Sequence, residues 1–202
     1  MLWDVGNVLL HWDPRNLYRS VFDDHDEMER FLRTVWTPAE NLRCDAGEPF
    51  ASVISATAAT HPHYAAQIRA IGDRWIETIG GPVDGMEELL GELARAAVLQ
   101  VAVTNFSAET FPLVGHYRHF DLLDDAVVSG EIGIVKPDPR IFEIALERAG
   151  TSADRAVFID DSPANVEGAI AVGIDAFVFD DATQARRELV RRGLPVDHRD
   201  GA

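Results

Sequence analysis

The sequence predicts an α/β protein: a doubly wound parallel sheet with an α-helical segment inserted after the first strand. Two observations predict it. From about residue 83 onward, short apolar runs alternate with amphipathic segments at helical spacing. Residues 13–82 show helical spacing and no convincing strand. Near-continuous apolar strands separated by helices are those of a parallel sheet covered on both faces. The chain therefore divides into a core, residues 1–12 and 83–202, and a helical insert, residues 13–82.

The elements follow in order. The first strand, LWDVGNVLL (2–10), is apolar but broken by Asp4, Gly6 and Asn7. In the insert, LYRSVF, EMERFLRTVW and YAAQIRAIGDRWIETI have helical spacing, with Met28, Phe31, Leu32, Val35 and Trp36 as one example. GGPVDG (80–85) reads as the hinge back to the core. GMEELLGELARAA (85–97) places Met86, Leu89, Leu90 and Leu93 on one helical face. VLQVAVT (98–104) and AVV (126–128) are buried strands. PRIFEIALERAG (139–150) is a helix stopped by Gly150. The strand RAVFID (155–160) leads into SPANVEGAIAVG (162–173), a helix that opens with Ser-Pro and closes on Gly173. The strand DAFVFD (175–180) and the helix TQARRELVRRG (183–193) complete the alternation.

Composition bounds the function. The chain has 202 residues and a formal net charge of −16. So acidic a surface repels nucleic acid and anionic membranes, and a phosphate-bearing substrate needs local positive charge from a metal or a lysine. Cys44 is the only cysteine, which excludes an internal disulfide and suits a reducing, cytoplasmic setting. The N-terminus shows no basic region before a long apolar run, so no signal peptide is expected. No apolar stretch reaches the roughly 18 residues of a membrane span.

Ligands of open parallel sheets bind at the carboxyl ends of the strands. The residues found there are Asp4, Thr104-Asn105 and Asp160-Asp161, with Lys136 in the loop after AVV. Asp4 sits in an apolar run without a basic neighbour in sequence, and an unpaired buried carboxylate is costly. Two adjacent carboxylates at 160 and 161 ask for a cation. Asn165, in the next helical turn, either orients Lys136 or caps the helix. His61 and His63 flank a proline and read as surface residues; Asp180 and Asp181 read as caps.

Together and in this order, WDVGNV, VAVTNF, VKPDPRIF and VFIDDSPANVEGA resemble the haloacid dehalogenase-like (HAD) hydrolases over the whole chain. The subgroup with Asp-x-Gly-Asn-Val looks closest, and it includes bacterial glucose-1-phosphate-type phosphatases. The resemblance implies a Rossmann-like core with a helical cap at 13–82, and hydrolysis of a small phosphate ester through an aspartyl-phosphate on Asp4. It implies Mg²⁺ held by Asp4, the Gly6 carbonyl, Asp160 and Asp161, the last through a water. Lys136 would neutralise the carboxylates and the phosphoryl oxygens, and Thr104 with nearby backbone N–H groups would bind those oxygens. Asn105, His11 and Arg43 are further candidates for substrate contact, with Arg43, Asp45 and Glu48 unranked in LRCDAGEPF. Trp12 reads as packing.

HAD phosphatases commonly carry a second aspartate two positions after the nucleophile, as general acid and base. Here Gly6 stands there. Three readings follow. One is a phosphatase with a substitute acid, such as water or His11, or with a good leaving group such as an anomeric phosphate. Another is a metal-independent haloacid dehalogenase, in which halide leaves unprotonated. The third is a protein that binds without catalysis. That dehalogenase branch usually has Ser-Ser-Asn where this chain has Asp160-Asp161, which favours a metal.

Overall fold

The computed structural model describes residues 1–197. Residues 198–202 of the expected core lie outside the described residues. Among the described residues seven strands run in chain order: β1 (Leu2–Trp3), β2 (Leu10–Trp12), β3 (Ile79–Pro82), β4 (Val101–Thr104), β5 (Asp125–Val128), β6 (Val157–Asp160) and β7 (Asp175–Val178). Five form a parallel sheet in the order β5-β4-β1-β6-β7. Period-2 alternation sends neighbouring residues to opposite faces. Leu2 joins Val101, Val103, Val127 and Phe158 in one apolar cluster; Trp3 joins Ala102, Val128 and Ile159 in another.

Helices cover both faces. α6 (Met86–Arg95) and α10 (Ala182–Arg191) bring Leu89, Leu90, Leu93, Ala185 and Leu189 to the Trp3 face. α8 (Pro139–Ala149) and α9 (Pro163–Ala171) bring Ile141, Phe142, Ala145 and Ala169 to the Leu2 face. A short turn of helix, α7 (Ser129–Ile132), follows β5. This is the expected doubly wound α/β architecture.

Between β2 and β3 run α1 (Arg15–Tyr18), α2 (His25–Thr34), α3 (Pro38–Asp45), α4 (Phe50–Thr60) and α5 (Ala65–Arg74). Their shared core includes Leu17, Tyr18, Phe31, Val53, Ile68 and Ile71, all buried. Tyr18 and Phe31 rings lie 4.9 Å apart and Phe31 and Tyr64 rings 5.4 Å apart. Asp24 caps α2 by accepting from the Asp26 and Glu27 N–H groups. Thr37 and Glu40 form a reciprocal capping box on α3.

One part of the sequence reading needs correction. The insert does not run helical to its end, and the first apolar run is not one strand. β1 stops at Trp3; Leu10–Trp12 form a separate strand, antiparallel to Ile79–Pro82 where the hinge was expected. Gly80 and Gly81 explain why β3 gave no strand signal. Glycine lacks the side chain that a strand pattern is read from. A Cβ at Gly80 would lie 3.1 Å from the His11 Cβ, and Gly81 has φ +100°. The pair allows β3 to press on β2. Among the described residues, no helix is long and apolar enough to cross a membrane.

Candidate active site

β4, β1 and β6 are neighbours in the sheet, so Thr104, Asp4 and Asp160 emerge side by side at their carboxyl ends. The Asp4 N–H donates to the Ile159 carbonyl at 2.9 Å, which keeps Asp4 in register with β6. A tight turn then reverses the chain. Leu9 and Leu10 N–H groups both donate to the Val5 carbonyl, and Asn7 has φ 54°. Asparagine tolerates that left-handed conformation better than most residues.

Lys136 approaches from the loop before α8. The Asn105 side chain grips its backbone on both sides: the Lys136 N–H donates to Asn105 Oδ1 at 2.7 Å, and Asn105 Nδ2 donates to the Lys136 carbonyl at 3.0 Å. The ammonium donates to Asp4 Oδ1 (2.7 Å), Asp160 Oδ2 (2.6 Å) and the Val103 carbonyl (2.8 Å). All three of its donors are thereby used. Asn165 Nδ2 donates to both Asp160 oxygens, at 2.9 and 3.1 Å, and the Ser162 N–H donates to Oδ1 at 2.8 Å. So Asn165 orients Asp160 rather than Lys136. Gly168 lets α9 lie close behind the lysine loop; a Cβ there would stand 2.7 Å from the Pro137 carbonyl.

Burial dominates the electrostatics. It pushes the Asp4 carboxyl up to about 7; the Lys136 ammonium opposes this and Asp160 adds to it. Burial also pulls Lys136 down, but attraction and hydrogen bonds from Asp4 and Asp160 outweigh it and hold the ammonium above its ordinary value. Burial raises Asp161, against a hydrogen bond from Asn7 Nδ2 at 3.2 Å.

Carboxylate oxygens of Asp4, Asp160 and Asp161 all lie within 4.8 Å of one another. Three carboxylates against one ammonium leave two negative charges unbalanced when all are ionised. A divalent cation would balance them, and an all-oxygen donor set suits a hard one. The residues present therefore fit such an ion.

Above the cluster lies a cavity of about 410 Å³. Asp4, Gly6, Asn7, Lys136, Asp161 and Asn165 line its floor. Trp12, Pro38, Asn41, Asp45, Trp75 and Ile79 line the part formed by β2, β3 and the helical insert, and Asn105 and Phe106 line the β4 side. Thr104 and Asp160 are buried directly behind this lining.

Besides Thr104, two expected substrate contacts, His11 and Arg43, are absent from the lining of the cavity. Leu10 and Trp12 line it, so strand alternation turns the intervening His11 outward, where it is exposed. Trp12 packs against the core as expected and also lines the cavity, whereas His11 is absent from the lining. On α3, Asn41 and Asp45 face inward one turn apart. Arg43 lies between them in sequence, hence on the opposite side, and pairs with Glu48 at 2.6 Å. Cys44 is buried, and burial pushes its thiol up to about 12, the state of an inert structural cysteine.

The sequence reading did not find Asn7 and Asn41 as site residues and left Asp45 unranked. Asn7 ties three parts together: its Oδ1 accepts from the Trp12 N–H at 3.1 Å while its Nδ2 reaches Asp161. The only signal was its position in the interruption after Asp4.

A model of the haloacid dehalogenase-like hydrolases matches residues 2–173. The chain belongs to this hydrolase family. A sesquiterpene phosphatase of Aspergillus oryzae is 28% identical over 192 residues, covering 93% of each protein. A phosphoserine phosphatase of Thermus thermophilus is 34% identical over 99 residues, 46% of this chain; the chain spans 39% of that protein's length. Among solved structures, the magnesium complex of a HAD family enzyme from Bacteroides thetaiotaomicron shares the fold at a TM-score of 0.70, with 22% identity, over 94% of this chain and 96% of that one.

Proposed function

We propose that the protein is a Mg²⁺-dependent hydrolase of small phosphomonoesters, acting through an aspartyl-phosphate on Asp4. The observation that carries this reading is Asp4 on the cavity floor, bonded to Lys136 and grouped with Asp160 and Asp161. Asp4 attacks phosphorus in line with the leaving oxygen. Asp4, the Gly6 carbonyl, Asp160 and Asp161 would hold the ion. When bound, Mg²⁺ supplies the positive charge that lets an anionic ester approach a carboxylate nucleophile. Lys136 offsets charge on the carboxylates and phosphoryl oxygens, and N–H groups of the loop that carries Thr104 and Asn105 would orient the ester.

In the same reading, residues 13–82 form a helical cap over the core at 1–12 and 83–202. A cavity of about 410 Å³ suits a small molecule. Its Asn41 amide, together with the Trp12 and Trp75 rings that line the same cavity, suits a polyhydroxylated ring, which supports a sugar phosphate. A reducing, cytoplasmic setting rests on the single cysteine, Cys44. Dehalogenation needs no hard cation and leaves the negative charge that Asp160 and Asp161 add beyond Lys136 without a purpose.

The test is a panel of phosphate esters assayed with Mg²⁺ and with EDTA. Phosphate release that stops with EDTA and returns with Mg²⁺ is expected. Chloride release from 2-chloropropionate that ignores EDTA, with no phosphate release, would overturn the reading in favour of a dehalogenase. Tight binding of a partner with neither activity would point to a non-catalytic protein.

Gly6 supplies a second expectation. A Cβ at Gly6 would meet nothing within 4 Å, and its φ lies outside the left-handed region. Gly6→Asp should therefore fold, and should add a carboxyl where related phosphatases carry their acid. The gain is expected to be larger for alkyl than for aryl phosphates, since general acid catalysis helps poor leaving groups most, and it is bounded by whatever acid the site already holds. Steady-state rates on both ester classes, beside thermal melting, check this. Equal acceleration of both classes would argue against an added proton donor.

A further inference from the structure

We propose that Asp45 is the proton donor to the leaving oxygen and the base that receives the proton of the attacking water, the task for which Gly6 provides no side chain. The proposal rests on the phosphomonoesterase reading of the same site.

The titratable side chains facing the cavity are Asp4, Asp161, Lys136 and Asp45. The first three are committed to the cluster on the floor. Asp45 stands apart from them, at the end of α3 in the insert. Its placement is built. Asn41 Nδ2 donates to Asp45 Oδ2 at 2.9 Å. Ser129 Oγ donates to the Asp45 carbonyl at 2.6 Å and accepts from the Phe106 N–H at 2.9 Å, so the helix end is tied to the core. A carboxylate in the last turn of a helix opposes the helix dipole, so a purely structural role is a poor account of an aspartate there.

Charge around Asp45 is sparse. α4 carries no charged residue. Glu48 is paired with Arg43, and Glu109 accepts from the Phe50 N–H. Glu131 on α7 is exposed. Burial pushes the Asp45 carboxyl up to about 7, against hydrogen bonds from the Asn41 side chain and the Ser107 backbone and a weaker attraction to Lys136. An acid poised near neutrality can give a proton in one step and take it in the next.

The steps balance. In the first, an Asp4 oxygen bonds to phosphorus, the ester P–O bond breaks, and the leaving oxygen takes the proton of the Asp45 carboxyl to become an alcohol. In the second, water oxygen bonds to phosphorus, Asp45 takes a water proton, and the bond between Asp4 and phosphorus breaks. Phosphate leaves and both carboxyl groups return to their starting states.

The test uses Asp45→Asn in the full chain with Mg²⁺, on p-nitrophenyl phosphate and on a primary alkyl phosphate. Nitrophenolate needs no proton to leave. With it, the variant should give a burst of about one equivalent at a rate near wild type, then slow turnover, because the second step lacks its base. With the alkyl ester, the first turnover itself should fall ~100-fold to ~10,000-fold. The fall in wild-type alkyl turnover above about pH 7, from loss of the Asp45 proton, should disappear in the variant. In the metal-free protein, carboxyl ¹³C NMR should lose a group titrating near that pH. Equal slowing of the two first turnovers, or rates like wild type on both esters, would overturn the assignment of Asp45 alone. A wild-type protein that releases phosphate from neither ester would overturn the phosphatase reading, and this proposal with it.

Discussion

Asp4→Asn is expected to abolish phosphate release while leaving the protein folded. An amide nitrogen or oxygen cannot form the acyl phosphate, so no second nucleophile takes over. The loss should reach roughly 10⁴-fold or more, the scale on which removal of a covalent nucleophile disables an enzyme. The fold should survive because the two side chains have nearly the same shape. Asp4 is 6% exposed, and burial raises its carboxyl from 3.8 to about 7. A folded-state pKa above the unfolded value means stability that is complete below about pH 4 and is lost as pH rises through about 7. Removing the charge removes this cost, so the metal-free variant should melt no lower than wild type at pH 8. Phosphate release and thermal melting, measured on one preparation, check both halves. Substantial turnover in the purified variant would remove Asp4 from the mechanism. Loss of activity together with loss of the folded state would make its role structural.

The parts of the site legible in sequence are those fixed by strand ends. In a parallel sheet the residue after each strand falls at one edge, so Asp4, Thr104 and Asp160 could be placed together from chain order alone. The helices of the core were legible for a similar reason: amphipathic spacing and terminal Gly150 and Gly173 mark them locally. The β2–β3 pair was not legible. Half of β3 is Gly80-Gly81, and its register depends on His11 lying across from it. The roles of Trp12, Asn41 and Asp45 depend on how the insert docks over the strand ends, which local periodicity does not encode. Once α3 is placed, helix phase alone separates the inward Asn41 and Asp45 from the outward Arg43. Asn7 was hidden because its reach to Asp161 needs a left-handed turn that brings residues 154 positions apart into contact.

Lys136→Met is expected to damage activity and stability together, unlike Asp4→Asn. Methionine fills much of the space but leaves Asp4 and Asp160 without the ammonium that bridges them at 2.7 and 2.6 Å. The Lys136 side chain is 1% exposed, and those of its two partners 9% and 0%. Removing one member of a buried ionic group costs about 3–5 kcal/mol, because the remaining charge is left without compensation. The cost should depend on pH with a definite sign. Without Lys136, which draws the Asp4 carboxyl down, that carboxyl rises further above its unfolded value of 3.8. This contribution to the variant's stability should therefore fall from about pH 4 upward, and between about pH 6 and 8 the variant should lose stability more steeply than wild type. Mg²⁺ should restore part of the loss, since a cation at the same carboxylates replaces the missing positive charge. Turnover should fall ~100-fold to ~1,000-fold, the effect of removing one electrostatic contact from a developing anionic transition state. Urea unfolding at pH 5 and pH 8, with and without Mg²⁺, separates these contributions. A variant as stable as wild type at pH 8 without metal would show that Asp4 and Asp160 do not need Lys136 for charge balance, and would undercut the electrostatic basis of the proposed site.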